Sequence, residues 1–305
     1  MLPFIMRRLL TSIITIIGVL LVVFFLARLT GSPAGLYLPH GASQERYDAF
    51  NRAYGFDQPI WVQFGNFVMD AARLDFGESI WQQRSALEAA VASMPPTLIL
   101  AGIALSLSLV VAVILGSLAA RYRFRLVDRV LTFFSLTSSS IPDFWFALVG
   151  VLVLAVTFGL LPTSGHNSPA AWVLPVATLM LGPVGVLTQV VRGSMIEALS
   201  SGYVRNARAR GFSERRLLFR HALRNAAMPI ISVAGDKAAG MVNGAIIVGV
   251  VFAFPGIGTV IVSAVLHRDF PLLQACLFVV GVAVVVLNII VDLAYAATDA
   301  RVRVS

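Results

Sequence analysis

The chain has 305 residues, of which 58% are hydrophobic and 12% are charged. Because soluble domains carry about 25% charged residues, this composition excludes an ordinary soluble globular protein and indicates an integral membrane protein. The net charge is +8, and the only cysteine is Cys276. A single cysteine excludes both a disulfide framework within the chain and a metal site of the Cys-x-x-Cys type. We expect Cys276 to serve only in packing.

Six apolar segments are long enough to cross a membrane, which takes roughly 20 residues in a helix. In chain order they are 9–29, 98–120, 130–161, 172–191, 228–252 and 275–297. The first follows Arg7 and Arg8 and is too long for the apolar part of a signal peptide, so we interpret it as a retained span. The sequence thus predicts an all-α integral membrane protein with six transmembrane helices.

The basic residues are distributed unevenly around these spans. Sixteen of the 23 Lys and Arg residues lie in four segments: before span one, between spans two and three, between spans four and five, and after span six. The last of these segments contains Arg301 and Arg303. With six spans all of these segments share one side, which is the cytoplasm by the positive-inside rule. We therefore expect a multi-pass membrane protein with both termini cytoplasmic.

The spans and charges divide the chain into three predicted parts. These are a cytoplasmic N-terminus with the first span (1–30), an extracytoplasmic helical segment (31–97) and a five-span core (98–305) with a cytoplasmic loop at about 197–228. In the extracytoplasmic segment, apolar residues recur at helical spacing from Ile60 to Ala71. Asp57 is predicted to cap this helix, with Pro59 in its first turn. The helix can form a small cap or lie on lipid head groups.

The loop at 197–228, called the arginine loop below, contains seven arginines between Arg205 and Arg224. Gly211 can take the left-handed conformation that ends a helix, and Ser213 is expected to be the N-cap of a second one. Glu214 then lies in the first turn, where the helix dipole favours an anion. The pattern predicts two short helices joined by a sharp turn. The alternatives are a basic loop bound to anionic lipid and, less supported, a nucleic-acid contact.

Helical spacing also predicts that Arg216, Arg220 and Arg224 lie on one face of the second helix, because residues four apart share a helix face.

Several motifs, in order, resemble one family. The arginine loop reads YVRNARARGFSERRLLFRHALRNAAMP (203–229), similar to the cytoplasmic loop of ABC importer permeases of the dipeptide/oligopeptide/nickel family. Further matching motifs are YGFDQPIWVQF (54–64), LDFGES (74–79), SIPDFW (140–145), GLLPTSG (159–165), VFAFPGIG (251–258), HRDFP (267–271) and NIIVDLAYAATDARVR (288–303). Arg205 stands where the general loop pattern has a glutamate, which is usual in the peptide subfamily.

The resemblance implies a fold like that of an ABC type I importer permease and a loop that docks into a groove on a separate ATPase subunit. Carried over by position, the coupling residues are Tyr203, Arg205, Ala207, Arg210, Gly211, Ser213, Glu214, Arg215, Arg220 and Arg224. The implied location is a bacterial inner membrane, and the implied partners are a second, similar permease, two ATP-binding subunits and an extracytoplasmic solute-binding protein. Di- and oligopeptides are the substrates expected first; nickel or metal chelates, glutathione and opine-like solutes are the alternatives.

Neither catalysis nor a cofactor is expected in this chain. A Walker loop needs Gly-Lys-Ser/Thr, but the only lysine is Lys237, which follows Asp236. ATP and Mg would therefore belong to the partner ATPases, and no metal site is expected. An intramembrane enzyme would need a convergent set of catalytic groups, and the four histidines are dispersed. A secondary transporter would show inverted repeats, and none is visible.

Polar residues inside spans are costly and therefore mark candidate sites. The candidates for a translocation path are Asp143, which follows Pro142 in span three, and Asp236, Lys237 and Asn243 in span five. Alternatively, Asp143 has a structural partner, while Asp236 and Lys237 reach the membrane surface or pair with neighbours. An acid at the position of Asp143 and charges at 236–237 depart from the family pattern, as does Gly249 in place of a frequent glutamate.

Overall fold

The computed structural model describes residues 2–298, in which the regular secondary structure is helical and a single antiparallel bridge joins Glu78 and Ser85. Arg301, Arg303 and the end of the 288–303 motif lie outside the described residues. The helices are α1 Leu2–Leu29, α2 Ala34–Tyr37, α3 Gln44–Ala53, α4 Ile60–Ala72, α5 Ala86–Arg121, α6 Leu126–Ser140, α7 Asp143–Gly150, α8 Pro169–Ser200, α9 Gly202–Ala209, α10 Glu214–Arg216, α11 Leu223–Val251, α12 Ile257–Leu266 and α13 Phe270–Thr298.

Two π-helical segments extend these helices: Val151–Thr157 continues α7, and Leu217–Ala222 joins α10 to α11.

The prediction of an all-α protein with about six spans is confirmed. Among the described residues five helices are long and apolar enough to cross a membrane: Leu10–Leu29, Ala86–Arg121, Pro169–Ser200, Glu214–Val251 and Phe270–Leu293. A further apolar pair of helices, Leu126–Ser140 with Asp143–Thr157, is bent, and it makes a sixth span if its two halves count as one. All six predicted spans overlap these segments, although several helices are longer than the apolar runs that indicated them.

The predicted third span, residues 130–161, is not one helix. Its two halves meet at 98° between Ser140 and Asp143. Ile141 and Pro142 are both extended, with ψ of 125° and 136°. Proline lacks the amide hydrogen that continues a helix and disfavours the helical conformation of the preceding residue, so the chain breaks here and starts α7 anew.

The chain forms two compact units, one containing residues up to Pro96 with Pro255–Val285 and the other Thr97–Phe254 with the residues from Val286 onward. In the first unit the centre is aromatic. Phe24 of α1 is fully buried and contacts Phe64 and Phe67 of α4, with ring centroids 5.3 and 5.2 Å away. The predicted helix from Ile60 is thus present and packs on α1. Pro59 is its N-cap rather than a first-turn residue, and α4 has no side-chain cap, so the predicted capping by Asp57 is wrong.

Buried polar contacts hold the loops of the first unit. Asp269 is fully buried and accepts hydrogen bonds from the Ser79 hydroxyl at 2.5 Å and the Trp81 amide at 3.0 Å. The Tyr37 hydroxyl donates to the backbone oxygen of His267 at 2.9 Å. Burial and then the nearby Asp269 raise the pKa of Tyr37 to about 12, so the hydroxyl remains protonated and keeps this hydrogen bond at neutral pH.

The second unit is held by close helix crossings. A Cβ atom on Gly116 of α5 would lie 2.6 Å from the Cβ of Val191 on α8, and one on Gly185 would overlap the backbone oxygen of Ser135 on α6. Small residues at such positions let the helix backbones approach, which is a common way of packing helices in membranes. The helices around the candidate site are therefore closely fitted.

Candidate functional site

The first half of the arginine loop is a short helix with a glycine stop, as predicted. Helix α9 ends where the amide of Gly211 bonds to the oxygen of Arg208 and that of Phe212 to Ala207. Gly211 has a φ of 81°. This left-handed conformation is accessible to glycine at little cost and reverses the chain direction after a helix. The sharp turn predicted at Gly211 is confirmed.

The second half differs from the prediction. There is no separate short helix, because α10 continues through the π-helical segment into α11, and Glu214–Val251 forms one helical stretch. Ser213 occupies the N-cap position, but its hydroxyl makes no capping hydrogen bond; its backbone oxygen accepts from Leu217 instead. The apolar pattern indicated span five only from residue 228, since the preceding turns carry arginines on their exposed side.

Arg216, Arg220 and Arg224 are all exposed. The segment Leu217–Ala222 between them is π-helical, and that the three arginines share one face of the helix stays a prediction.

A small apolar core fixes the loop. Val204, Ala207 and Leu217 are buried against one another, with Leu199 and Phe212 packed beside them. Ala207, one of the predicted coupling residues, is thus a buried packing residue that stabilises the turn. The apolar contacts continue toward the spans, where Leu218 and Ala222 join a cluster with residues of α8 such as Val191 and Met195. The loop is thus packed onto the two helices that it connects.

Polar contacts close the turn from outside. Arg208 donates to both carboxylate oxygens of Glu214, at 2.9 and 3.4 Å. The guanidinium of Arg216 lies 4.5 Å from the ring centroid of Phe212, and that ring stacks on His221. Glu214 therefore has a structural partner, and Arg208, which the sequence-based set omitted, holds the turn.

The remaining charges face outward. All seven arginines from Arg205 to Arg224 are exposed, and Tyr203 is exposed beside them. Arg215, Arg216 and Arg220 line a surface depression of about 550 Å³ together with Ser213 and Phe219. Phe219 is 49% exposed. A rigid surface that combines three guanidinium groups with an exposed aromatic ring is suited to a partner surface carrying carboxylates and an apolar side chain.

The four path candidates fall into two places. Asp143 is half-buried at the start of α7, and its two carboxylate oxygens lie 3.8 Å from the Cβ positions of Gly182 on α8 and Gly244 on α11. The carboxylate thus lies beside glycines of two neighbouring helices, and Leu179 occupies the space next to Gly244. No hydrogen bond or ion pair to the described residues is found for this carboxylate, so the predicted alternative of a structural partner finds no support there.

The other three candidates lie on α11. Asp236 and Asn243 are exposed two turns apart, with exposed Gly240 between them. The ammonium of Lys237 lies 3.5 Å from the Asp236 carboxylate, and these side chains are 34% and 77% exposed. The two charges thus pair with each other, one of the alternatives that the sequence left open. Asp236 and Asn243 occupy a different face of α11 from Gly244.

One ion pair of the core was missed by sequence reasoning. Arg192, which counted only as a loop-side positive charge, donates from Nε and Nη2 to the two oxygens of Asp128 at 2.6 and 2.9 Å. Asp128 also accepts from the amide of Phe124. The bidentate pair fixes the start of α6 to α8, and the only sequence signal for it was an Asp in the first turn of α6. Cys276 is buried, as expected for a packing residue.

The long apolar helices and the closely packed crossings are those of a multi-pass membrane protein. Comparison with known proteins agrees with this class. A family model described as "Binding-protein-dependent transport system inner membrane component" matches residues 112–304, and the model of its N-terminal part matches residues 1–101. The chain belongs to this family. It is the permease component of an ABC importer, a component that is not itself catalytic in this family and that works with an ATPase and a binding protein.

Similar proteins extend over the whole chain. The oligopeptide transport system permease protein AppB of Bacillus subtilis (strain 168) is 32% identical, with 99% of this chain and 100% of that protein covered. The glutathione transport system permease protein GsiC of Escherichia coli O1:K1 / APEC is also 32% identical, with 99% of each covered. A structure of the MetNI methionine ABC transporter shares the fold, with a TM-score of 0.58 at 17% identity over 68% of this chain and 95% of that chain.

Proposed function

We propose that this permease imports di- or oligopeptides and that its arginine loop is the surface on which the ATPase acts. One observation supports the assignment of the loop. Buried apolar residues fix the arginine loop to α8 and α11, while all seven of its arginines remain exposed. Peptides are favoured as substrate by the AppB relative. Glutathione is the second candidate, because GsiC is equally similar.

The continuity of α10 with α11 gives a physical route for coupling. A displacement of the loop by a partner is transmitted along the helical stretch Glu214–Val251 rather than absorbed by a hinge. The glycine turn and the Arg208–Glu214 pair keep α9 in register with it. ATP-driven closure of the ATPases would then shift the permease between two access states, because it binds one arrangement of the loops better than the other.

Asp143 is the favoured path residue. Its carboxylate lies beside Gly182 and Gly244 without a described partner. Charged groups at membrane depth are expensive and are retained where they face a cavity or a ligand. A peptide with a free ammonium supplies the opposite charge. Asp236, Lys237 and Asn243 would line the path from the exposed face of α11, which we assign to the side shared with a second permease.

The full assembly would contain this chain, a second similar permease, two ATP-binding subunits with their ATP and Mg, and an extracytoplasmic solute-binding protein. The uneven arginine distribution supports cytoplasmic termini and a cytoplasmic arginine loop. Segment 31–97 would then meet the binding protein on the other side.

The double charge reversal Arg215→Glu with Arg220→Glu tests the loop assignment. Both side chains are exposed on the loop, so the variant should insert normally yet lose ATPase association, since two attractions become repulsions. The measurement is co-purification of the ATPases from membranes. The matched control is Arg123→Glu with Arg125→Glu, exposed residues of the other basic loop, which should keep more than half of the association. Co-purification of the ATPases with the first variant at wild-type yield would contradict the proposal.

A further inference from the structure

A cavity of about 460 Å³ lies within the unit formed by residues up to Pro96 and Pro255–Val285, away from the loop and the path residues. It is lined by the last turn of α1, by α4 with the segments on either side of it, and by the start of α13. Phe56, Phe67, Phe76 and Phe270 provide aromatic walls. The volume falls within the roughly 300–1,000 Å³ of small-molecule sites.

The first donor in this cavity is Arg28. Its Nε donates to the side-chain oxygen of Gln63 at 2.9 Å, and its guanidinium lies 3.5 Å from the ring centroid of Phe24 and 5.7 Å from that of Phe270. These contacts fix the group. Its Nη1 is buried and has no acceptor among the described residues. A buried charged donor without an acceptor is destabilising, so we expect a bound group to supply an acceptor for this nitrogen.

The second donor is Gln274 on α13, one turn after Phe270. Gln274 is only 3% exposed, and its Nε2 also has no acceptor among the described residues. It lines the same cavity as Arg28. Two buried donors from separate helices therefore face one space, and both are satisfied together by a group with two or more acceptor oxygens, such as a carboxylate or a phosphate.

Opposite charges lie at the same cavity. Arg52, Asp70 and Asp75 line it and are exposed. Asp75 accepts a hydrogen bond from the amide of Gly77 at 2.9 Å, whereas the Asp70 carboxylate has no described hydrogen bond or ion pair. The cavity thus combines buried donors with an available carboxylate at its rim, which is the arrangement expected for a ligand that carries both charges.

We propose that this cavity binds a small zwitterion, whose anionic oxygens accept from Arg28 and Gln274 and whose ammonium pairs with Asp70. Two sources share this chemistry: a short peptide with free termini and the head group of phosphatidylethanolamine, which is within reach because Arg28 lies in the last turn of the first span. The site goes beyond the transport role, since binding there requires neither ATP nor translocation.

The test uses the full permease with its ATPases in nanodiscs of phosphatidylglycerol, which carries no ammonium group, without nucleotide. The probes are trialanine, its C-terminal amide, N-acetyl-trialanine and dihexanoyl-phosphatidylethanolamine, and binding is measured by calorimetric titration. The variants are Arg28→Met and Gln274→Met, which keep the apolar stems but remove the donors. The matched control is Arg73→Met, an exposed arginine of the same unit outside the cavity.

We expect at least one zwitterion to bind, with a tenfold or greater loss in Arg28→Met and Gln274→Met and no change in Arg73→Met. Binding of trialanine but not of its amide identifies a peptide as the source, whereas binding of the phospholipid alone identifies the head group. Gln274→Met decides the question if Arg28→Met does not fold. Absence of binding to the wild type, or wild-type affinity in both cavity variants, overturns the proposal and leaves the assignment of the arginine loop untouched.

Discussion

Asp143 is a half-buried carboxylate at the start of α7. A Cβ atom added at Gly182 or Gly244 would stand 3.8 Å from one of its oxygens, an ordinary van der Waals distance. At Gly244 such an atom would also lie 2.7 Å from Cδ1 of Leu179. In the proposed function, the break at Pro142 keeps this half-buried acid accessible to an ammonium group of a substrate.

The change Asp143→Asn should lower uptake of trialanine about tenfold and uptake of N-acetyl-trialanine much less. The amide keeps the shape but removes the charge, and a loss of roughly 1.4 kcal/mol corresponds to a factor of ten. The measurement is ATP-driven uptake into proteoliposomes with the complete transporter. Asp57→Asn, at an exposed position, is the control. Equal losses for both peptides would show that the charge does not recognise the ammonium.

At the same scale, Asp128 and Arg192 show what sequence cannot reveal. The two residues are 64 positions apart, and their bidentate pair depends on how α6 crosses α8. Breaking such a pair leaves one buried charge without its partner. The sequence shows an aspartate and an arginine but not that they meet. Their contact depends on the close crossing of α6 and α8 at Gly185, which only the packed helices reveal.

At the scale of elements, the turn of the arginine loop depends on Gly211. Its φ of 81° lies in the left-handed region, and no atom lies within 4 Å of the position of an added Cβ. Gly211→Ala would therefore act through backbone strain alone, about 1–2 kcal/mol, and would loosen the turn without a clash.

Amide hydrogen exchange tests this role. In Gly211→Ala we expect the hydrogen-bonded amides from Arg210 to Phe212 to exchange about five- to thirtyfold faster, the range that corresponds to 1–2 kcal/mol. Gly202→Ala is the control, because Gly202 also has open space but no positive φ. Similar exchange in both variants would mean that the left-handed turn does not hold the loop.

Sequence reasoning succeeded for elements whose signal is local. The glycine stop after α9 and the apolar runs of the spans were predicted, and both are present. It failed where helices continue beyond their apolar run. Helix α5 begins at Ala86 and passes through Pro95 and Pro96, and the helical stretch of span five begins at Glu214. The first turns of that stretch carry arginines on their exposed side and therefore lack a continuous apolar run. The periodicity of apolar residues indicates which residues are buried and does not show the backbone conformation directly.

At the scale of the molecule, the spans differ in how much the chain itself covers them. The most apolar stretch of Pro169–Ser200 is 50% buried, whereas those of the first and last spans are 11% buried. Helix α8 is therefore central to its unit, and it also packs against the arginine loop. The exposed polar face of α11 at Asp236 and Asn243 is too polar for lipid, which supports a second permease as the neighbour on that side.

The central claim is that the arginine loop contacts the ATPase, and cysteine cross-linking in native membranes tests it most directly. Cys276 is the only cysteine and is buried, so Cys276→Ala gives a background without a thiol. In that background Phe219→Cys, in the exposed depression of the loop, should cross-link to a co-expressed ATPase through a maleimide that carries a photoreactive benzophenone, which needs no thiol on the partner. Arg73→Cys, in the segment predicted to face the other side, should give no such product. Cross-linking from Arg73→Cys, or none from Phe219→Cys, would contradict the assignment.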